Sequence, residues 1–354
     1  MNKFKFYFIL LFISVSLFSC KKDDDDATIA PPKDRAEQYQ LDIDSIEGYL
    51  KTHYVEKVVV NGLVDVVIKD LPKDGSKVSI WENTEFPLKS KIVRTDARKT
   101  NLVDGVSDDV VDYKLYYLIL NEGAGKRPTT IDSTFVTYRG WKLDNVDFDK
   151  TDIPGWSTYP AMSEAESFIS YIPGFRLFLP ELKSADGNTV NPDGTVSFNN
   201  SGVGVVFIPS GLGYYNSVTT GIPAYSPLVF TIRLNAVRER DHDRDGIFSI
   251  NEDLNHDGNY YNDDTDGDNT PDFLDIDDDG DSHTTKSELK RPVVYDPANP
   301  TVPLPTSYYR YDGAATDDPS TPFIDETKGV PNCGIDFTSP TRLRRYLDPS
   351  CYKE

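Results

Sequence analysis

The chain has 354 residues, 38% hydrophobic and 12% aromatic, enough apolar material for at least one sizeable core with appendages. Its formal net charge of −21 is unevenly spread, since residues 241–288 hold seventeen acidic side chains against only Arg244 and Lys286. Such a field argues against a nucleic-acid partner and for bound cations.

Residues 1–19 carry Lys3 and Lys5 ahead of an apolar run at 6–18, which is too short to cross a bilayer and reads as a signal peptide. Leu17, Phe18, Ser19 and Cys20 resemble the bacterial lipobox, in which the Cys is acylated and becomes the first residue of the mature chain. Residues 20–34 begin Lys21, Lys22 and four successive Asp, and resemble the charged tether by which Bacteroidetes-type lipoproteins reach the outer cell surface. These resemblances imply an exported outer-membrane lipoprotein attached by lipid on Cys20. In an oxidising compartment the remaining pair, Cys333 and Cys351, is expected to form a disulfide.

Residues 35–112 are expected to form a small N-terminal α/β subdomain packed on the next module. Tyr39, Ile43, Ile46 and Leu50 share one face of a helix predicted over 34–54. His53 falls at its end, where a cation suits the dipole. Two Val-rich runs at 58–60 and 64–68, separated by Asn61 and Gly62, predict a hairpin. Nothing in this region points to chemistry.

Residues 113–238 are expected to form the next unit. Runs at 116–120, 134–138, 203–208 and 228–234 are rich in β-branched and aromatic residues and predict strands. Residues 163–182 have helical spacing, which Pro173 and Gly174 divide into a lead-in and a short helix ending near Pro180. A sheet with one short helix across it is an α+β module. Gly123, Ala124, Gly125 and Lys126 lack the spacing of a phosphate loop and read as a turn. Three of the four His fall in the acidic segment and no Cys falls here, so neither a nucleophile–base pair nor a zinc cluster has its parts.

Four pieces within this unit read as the walls of one apolar pocket. They are Tyr138 to Gly140, Phe148 with Asp149, Tyr171 to Phe175 (YIPGF), and a closing run from Phe207 through Tyr214 and Ile222 to Phe230. In this order, and over residues 113–237, they resemble the FKBP-type peptidyl-prolyl cis/trans isomerases. The resemblance implies an FKBP-like antiparallel sheet wrapped on a short helix, proline-containing polypeptides as partners, and no cofactor for catalysis. By the same resemblance the proline ring rests on Phe175 between Tyr138, Phe148 and Phe230. The Ile172 N–H and the Tyr214 hydroxyl hold substrate carbonyls, Asp149 sets the polar side with Tyr138 turned towards it, and Ile222 lines the rim. Four features depart from the family: Phe175 in place of Trp, Tyr215 in place of Gly, Pro180 in the helix, and an insertion at 184–202. They keep open a second reading, a non-catalytic binding or adhesion module that uses the fold as scaffold.

Residues 239–289 are expected to be irregular calcium-binding repeats. The dodecapeptide DHDRDGIFSINE (241–252) matches an EF-hand loop, with Asp241, Asp243, Asp245, Ser249 and Glu252 as oxygen ligands, Ile247 offering its carbonyl, and Gly246 for the sharp turn. Asp253, Asn255, Asp257 and Asp264 begin a second register. Asp264, Asp266, Asp268, Asp272 and Asp275 make a third, and Asp277, Asp279, Asp281, Thr285 and Glu288 a fourth. No space is left for helices between them, so the segment resembles thrombospondin type 3 repeats, which implies several structural Ca²⁺ ions. Without metal such a segment is expected to be disordered, having little apolar surface. Residues 290–354 read as an extended tail returning to a domain surface.

Overall fold

The computed structural model describes residues 31–60, 62–93, 109, 111–160, 171–311, 329–337, 339 and 342–351. The signal peptide, Cys20 and most of the tether lie outside the described residues, as does most of the lead-in that begins at residue 163. From Asp34 onwards the chain forms one compact unit.

Helix α1 (Arg35–Thr52) starts where the Asp34 carboxylate accepts the N–H groups of Ala36 and Glu37, and ends at His53, whose extended backbone opens the next strand. It buries Ile43, Ile46 and Leu50 of the expected face, with Tyr39 half-buried, together with Tyr49, Gln38 and Asp42. Strands β1 (His53–Val60) and β2 (Leu63–Asp70) form the predicted hairpin, with Val60 opposite Leu63.

Six antiparallel strands make the main sheet. In chain order these are β3 (Lys89–Val93), β4 (Tyr113–Asn121), β5 (Ser133–Lys142) and β6 (Asp147–Ser157), then, after a small hairpin β7 (Gly187–Val190) and β8 (Val196–Asn199), β9 (Gly202–Ile208) and β10 (Leu228–Arg238). They are arranged β3-β4-β9-β10-β5-β6, so β3, from the stretch expected as a separate subdomain, is an edge strand of this sheet. Strand β6 has no hydrophobic alternation and carries Pro154; both features suit an edge, where the outer face stays wet and one ladder donor can be missing.

Alternation along the central strands covers both sheet faces, because successive side chains point to opposite sides. Val203, Val205 and Phe207 of β9 meet Ile46, Leu50 and the β1–β2 hairpin in one core. Val206 and Ile208 join Leu228, Phe230, Ile232 and Leu234 of β10 in another, closed by α2 (Pro173–Phe178). Pro173 sits in the first turn of α2, where no N–H is needed, and a 3₁₀ turn, Leu179–Glu181, containing Pro180 ends the helical stretch.

The acidic segment contains 3₁₀ turns at Ser249–Asn251 and Asp272–Leu274 and the four-residue helix α3 (Thr285–Glu288). Its apolar content is used more fully than expected. Ile247 and Leu289 pack with Tyr309, Val330, Tyr346 and Leu347 of the tail, and Phe273 and Tyr260 pack with Ile131 of the preceding module. The tail therefore builds a core with the acidic segment, after a short hairpin of β11 (Tyr295–Asp296) and β12 (Asn299–Pro303), and the Cys333–Cys351 disulfide is formed. No helix among the described residues is long and apolar enough to cross a membrane.

Candidate active site and acidic clusters

Strand β5 lies between β10 and β6, which places Tyr138 opposite Ile232 and Thr151, and Gly140 opposite Phe230 and Asp149. Gly140 allows two rings to converge: a Cβ there would stand 2.6 Å from the Phe230 ring and 2.7 Å from that of Phe148. Over this corner α2 and its N-cap bring Ile172 and Phe175, and the segment after β9 brings Tyr214. The result is a cavity of about 370 Å³ lined by Tyr138, Phe148, Asp149, Ile172, Phe175, Tyr214 and Phe230, seven of the eight residues singled out from the sequence.

Its walls are aromatic edges and faces. Phe175 meets Tyr138 edge-on at 5.5 Å and Phe230 edge-on at 5.3 Å, and Phe148 meets Phe230 at 5.4 Å. These tilted contacts favour the ring quadrupoles and hold each ring in place. One polar pair sits among them. The Tyr138 hydroxyl donates to Asp149 Oδ2 at 2.6 Å, while the Lys150 N–H donates to Oδ1 at 2.8 Å. Burial, and then the Asp149 carboxylate, push the Tyr138 phenol above its ordinary pKa; the same two causes raise Tyr171 to about 12. Tyr214 is 38% exposed at the mouth.

Ile222 is placed elsewhere. It is 4% exposed in the core under α2 and pairs with Thr219 through both backbone groups. The cavity also has walls that sequence reasoning did not single out as site residues: Thr151, Ile153 and Trp156 of β6, and Tyr171. Strand β6 lacks a strand-like pattern, so these side chains gave no signal. Tyr171 stands in the quoted YIPGF run, yet its position over Phe175 is a tertiary fact, with ring centroids 4.2 Å apart and planes at 24°.

Of the departures noted above, Tyr215 keeps the backbone a glycine would favour, with φ of 50°. Its ring is held by the Arg35 guanidinium, 4.2 Å from the centroid, and by Tyr225 edge-on at 5.3 Å. Asp42 of α1 reaches the segment leading to Tyr214, accepting from the Ser210 N–H at 2.7 Å and from its hydroxyl at 2.5 Å.

The acidic residues divide by environment. Asp264, Asp266 and Asp268 form one group and Asp277, Asp279 and Asp281 another. Asp243, Asp245 and Glu252 of the first loop meet Asp278, which was not among the expected ligands. Ile247 buries its side chain while its N–H donates to Asp245 Oδ1 at 2.6 Å, and Gly246 makes the turn with φ of 111°. Much of the second register is engaged internally: Asp253 and Asn255 accept the Asp257 N–H, and Asp257 accepts that of Asn259. Asp272 accepts both the N–H and the hydroxyl of Thr265, Asp275 accepts the Asp277 N–H, and the Ser249 hydroxyl bonds the His242 ring. Asp241 lies beside Asp243 and Asp245, adding to their repulsion. Both Glu288 oxygens are buried without a hydrogen-bond partner, and burial and then the charges of Asp279 and Asp281 raise its pKa to about 8.

Residues 242–323 match the family model described as BamM C-terminal. No curated protein sequence matches the chain. Among solved structures it is similar to FkpA from Escherichia coli, at 25% identity and a TM-score of 0.26, over 35% of this chain and 48% of that one. It is also similar to a peptidyl-prolyl cis-trans isomerase from Pseudomonas syringae, at 22% identity and a TM-score of 0.27, over 41% and 89%. A third is the N-terminal domain of FKBP42 from Arabidopsis thaliana, at 16% and 0.28, over 38% and 94%. The chain thus spans about half the length of FkpA, and these structural neighbours include FKBP-type isomerases of low TM-score and partial coverage.

Proposed function

We propose that the chain is a peptidyl-prolyl cis/trans isomerase acting on exported or cell-surface proteins, tethered to the outer membrane by lipid on Cys20. The observation that carries the reading is the convergence of Tyr138, Phe148, Asp149, Ile172, Phe175, Tyr214 and Phe230 on one cavity from segments far apart in sequence.

Rotation about a prolyl amide faces a barrier of ~18–20 kcal/mol set by amide resonance, and no covalent step is required. Water stabilises the planar, polar amide more than the twisted one, so a dry aromatic cavity with a few aimed donors favours the transition state. In this reading Phe175, Tyr138, Phe148 and Phe230 desolvate the proline ring. The Ile172 N–H and the Tyr214 hydroxyl hold the flanking carbonyls, and Asp149 fixes the Tyr138 hydroxyl.

The test is isomerisation of a short Xaa-Pro peptide, followed by exchange NMR, with the wild type and the Phe175→Ala, Tyr214→Phe and Asp149→Ala variants. Loss of the Tyr214 hydroxyl should slow the reaction about threefold to tenfold, equivalent to one hydrogen bond of roughly 0.5–1.5 kcal/mol, and loss of the Phe175 ring more. A wild-type rate equal to buffer would overturn the reading. For the anchor, Cys20→Ala should release the chain from membranes or block its processing.

One observation favours the second reading, a non-catalytic surface binding module stiffened by calcium. Tyr171 stacks on Phe175, and Phe175 is only 1% exposed, so the floor is already occupied by a ring of the protein itself.

A further inference from the structure

Asp243, Asp245 and Glu252 come from the first acidic loop and Asp278 from the last, yet one carboxylate oxygen of each lies within 4.8 Å of the others. Three of the four side chains are deeply buried, Glu252 and Asp278 each 1% exposed and Asp245 3% exposed, and Asp243 is half-buried. Asp243 and Asp245 each spend one oxygen on a local N–H, that of Asp245 and that of Ile247 respectively. The other oxygen of each, and both oxygens of Glu252 and of Asp278, are buried without a hydrogen-bond partner, which makes six. Buried polar atoms are normally paired, and four uncompensated carboxylates at this separation repel strongly.

We propose that these four carboxylates form a cage for one calcium ion that joins the first acidic loop to the last. Carboxylate oxygens are hard donors of the kind Ca²⁺ accepts; Mg²⁺ demands a near-ideal octahedron and retains its waters, and Zn²⁺ favours nitrogen and sulfur. Asp278 enters the cage while its neighbours Asp277 and Asp279 group with Asp281, so the two clusters share a backbone of three residues. The cage therefore differs from a string of independent loops: it ties together positions far apart in the segment and braces the core that Ile247 and Leu289 make with Tyr346 of the tail. It does not depend on the isomerase reading.

The experiment uses the purified full chain in detergent, titrated with calcium chloride by calorimetry and unfolded thermally in chelator and in millimolar calcium. Asp278→Asn should weaken one tight site about tenfold or more, since ligand charge sets calcium affinity. In chelator the same substitution should raise the unfolding midpoint, because it removes a buried, repelled charge, whereas in calcium it should lower it. Glu252→Gln, from the opposite loop, should reproduce both signs, and Asp193→Asn, in the exposed turn between β7 and β8, should leave that site unchanged. A midpoint shift of the same sign in both conditions, unaltered calcium affinity in both cage variants, or equal protection by magnesium would overturn the proposal.

Discussion

The ring of Tyr171 lies almost parallel to that of Phe175, with centroids 4.2 Å apart, so a ring entering the cavity meets Tyr171 before it meets the floor. If a prolyl ring is to rest on Phe175, the Tyr171 ring must swing away. An aromatic pair is worth about 0.5–1.5 kcal/mol beyond its buried area. Tyr171→Val is therefore expected to tighten binding of an Xaa-Pro peptide about threefold to tenfold, while Phe175→Ala weakens it. Peptide titration by NMR measures both, and weaker binding by the Tyr171 variant would mean that Tyr171 itself is the floor.

The Tyr138–Asp149 pair has a spectroscopic signature. The phenol is raised first by burial and then by the carboxylate. Asp149→Asn should therefore bring the Tyr138 pKa down while leaving it above the ordinary value. A raised phenol pKa stabilises the folded chain below the ordinary tyrosine range, and this contribution is lost as pH rises through the folded value. Ultraviolet difference titration of the wild type and the variant checks the shift.

Asp42 is 2% exposed and holds both donors of Ser210. Asp42→Ala would leave the buried Ser210 N–H without that acceptor, at an expected cost of about 3 kcal/mol. Thermal denaturation should show the loss. The Tyr214 hydroxyl effect on isomerisation should shrink in the same variant, because the segment carrying Tyr214 then keeps only the Arg35–Tyr215 contact of the two described between it and α1.

Tyr215 tests how a missing glycine is compensated. Tyr215→Gly relieves a left-handed backbone, a gain of about 1 kcal/mol, but removes a ring packed on Arg35 and Tyr225 whose loss costs about 3–5 kcal/mol. Net destabilisation is expected in a denaturant titration. A more stable variant would show that the packing contributes little.

What could be read from the sequence follows from how local each signal is. The α1 face, the β1–β2 hairpin and strands β4, β5, β9 and β10 rest on periodicity and turn residues, which neighbouring positions encode by themselves. Phe148 and Asp149 were legible through their motif, whereas the strand around them was not, because a wet edge strand needs no alternation. Asp42 reads as an ordinary polar residue of a helix, and only the approach of Ser210, remote in sequence, makes it a buried acceptor. Asp278 fits no position of its own loop, since its partners belong to a loop that the fold brings alongside. The small cores of the acidic segment escaped notice because Ile247 and Phe273 are isolated among carboxylates and become apolar surface only together with the tail and Ile131.

The strand order carries a consequence for the birth of the protein. Strands β9 and β10 occupy the middle of the sheet but come last in the chain among its members. A growing polypeptide that has completed β3 to β6 holds two separate ribbons, β3 with β4 and β5 with β6, each lacking its inner neighbour. Leu115, Leu118 and Val136, all fully buried in the finished fold, stay without their main partners until residue 238 has been made. Closure then depends on pairings such as that of Ile119 with Gly204, whose long separation places folding at the slow, millisecond-to-second end of small-domain rates. A chain ending before β10 should therefore be captured by chaperones that bind exposed strands, and a chain ending just after it should not.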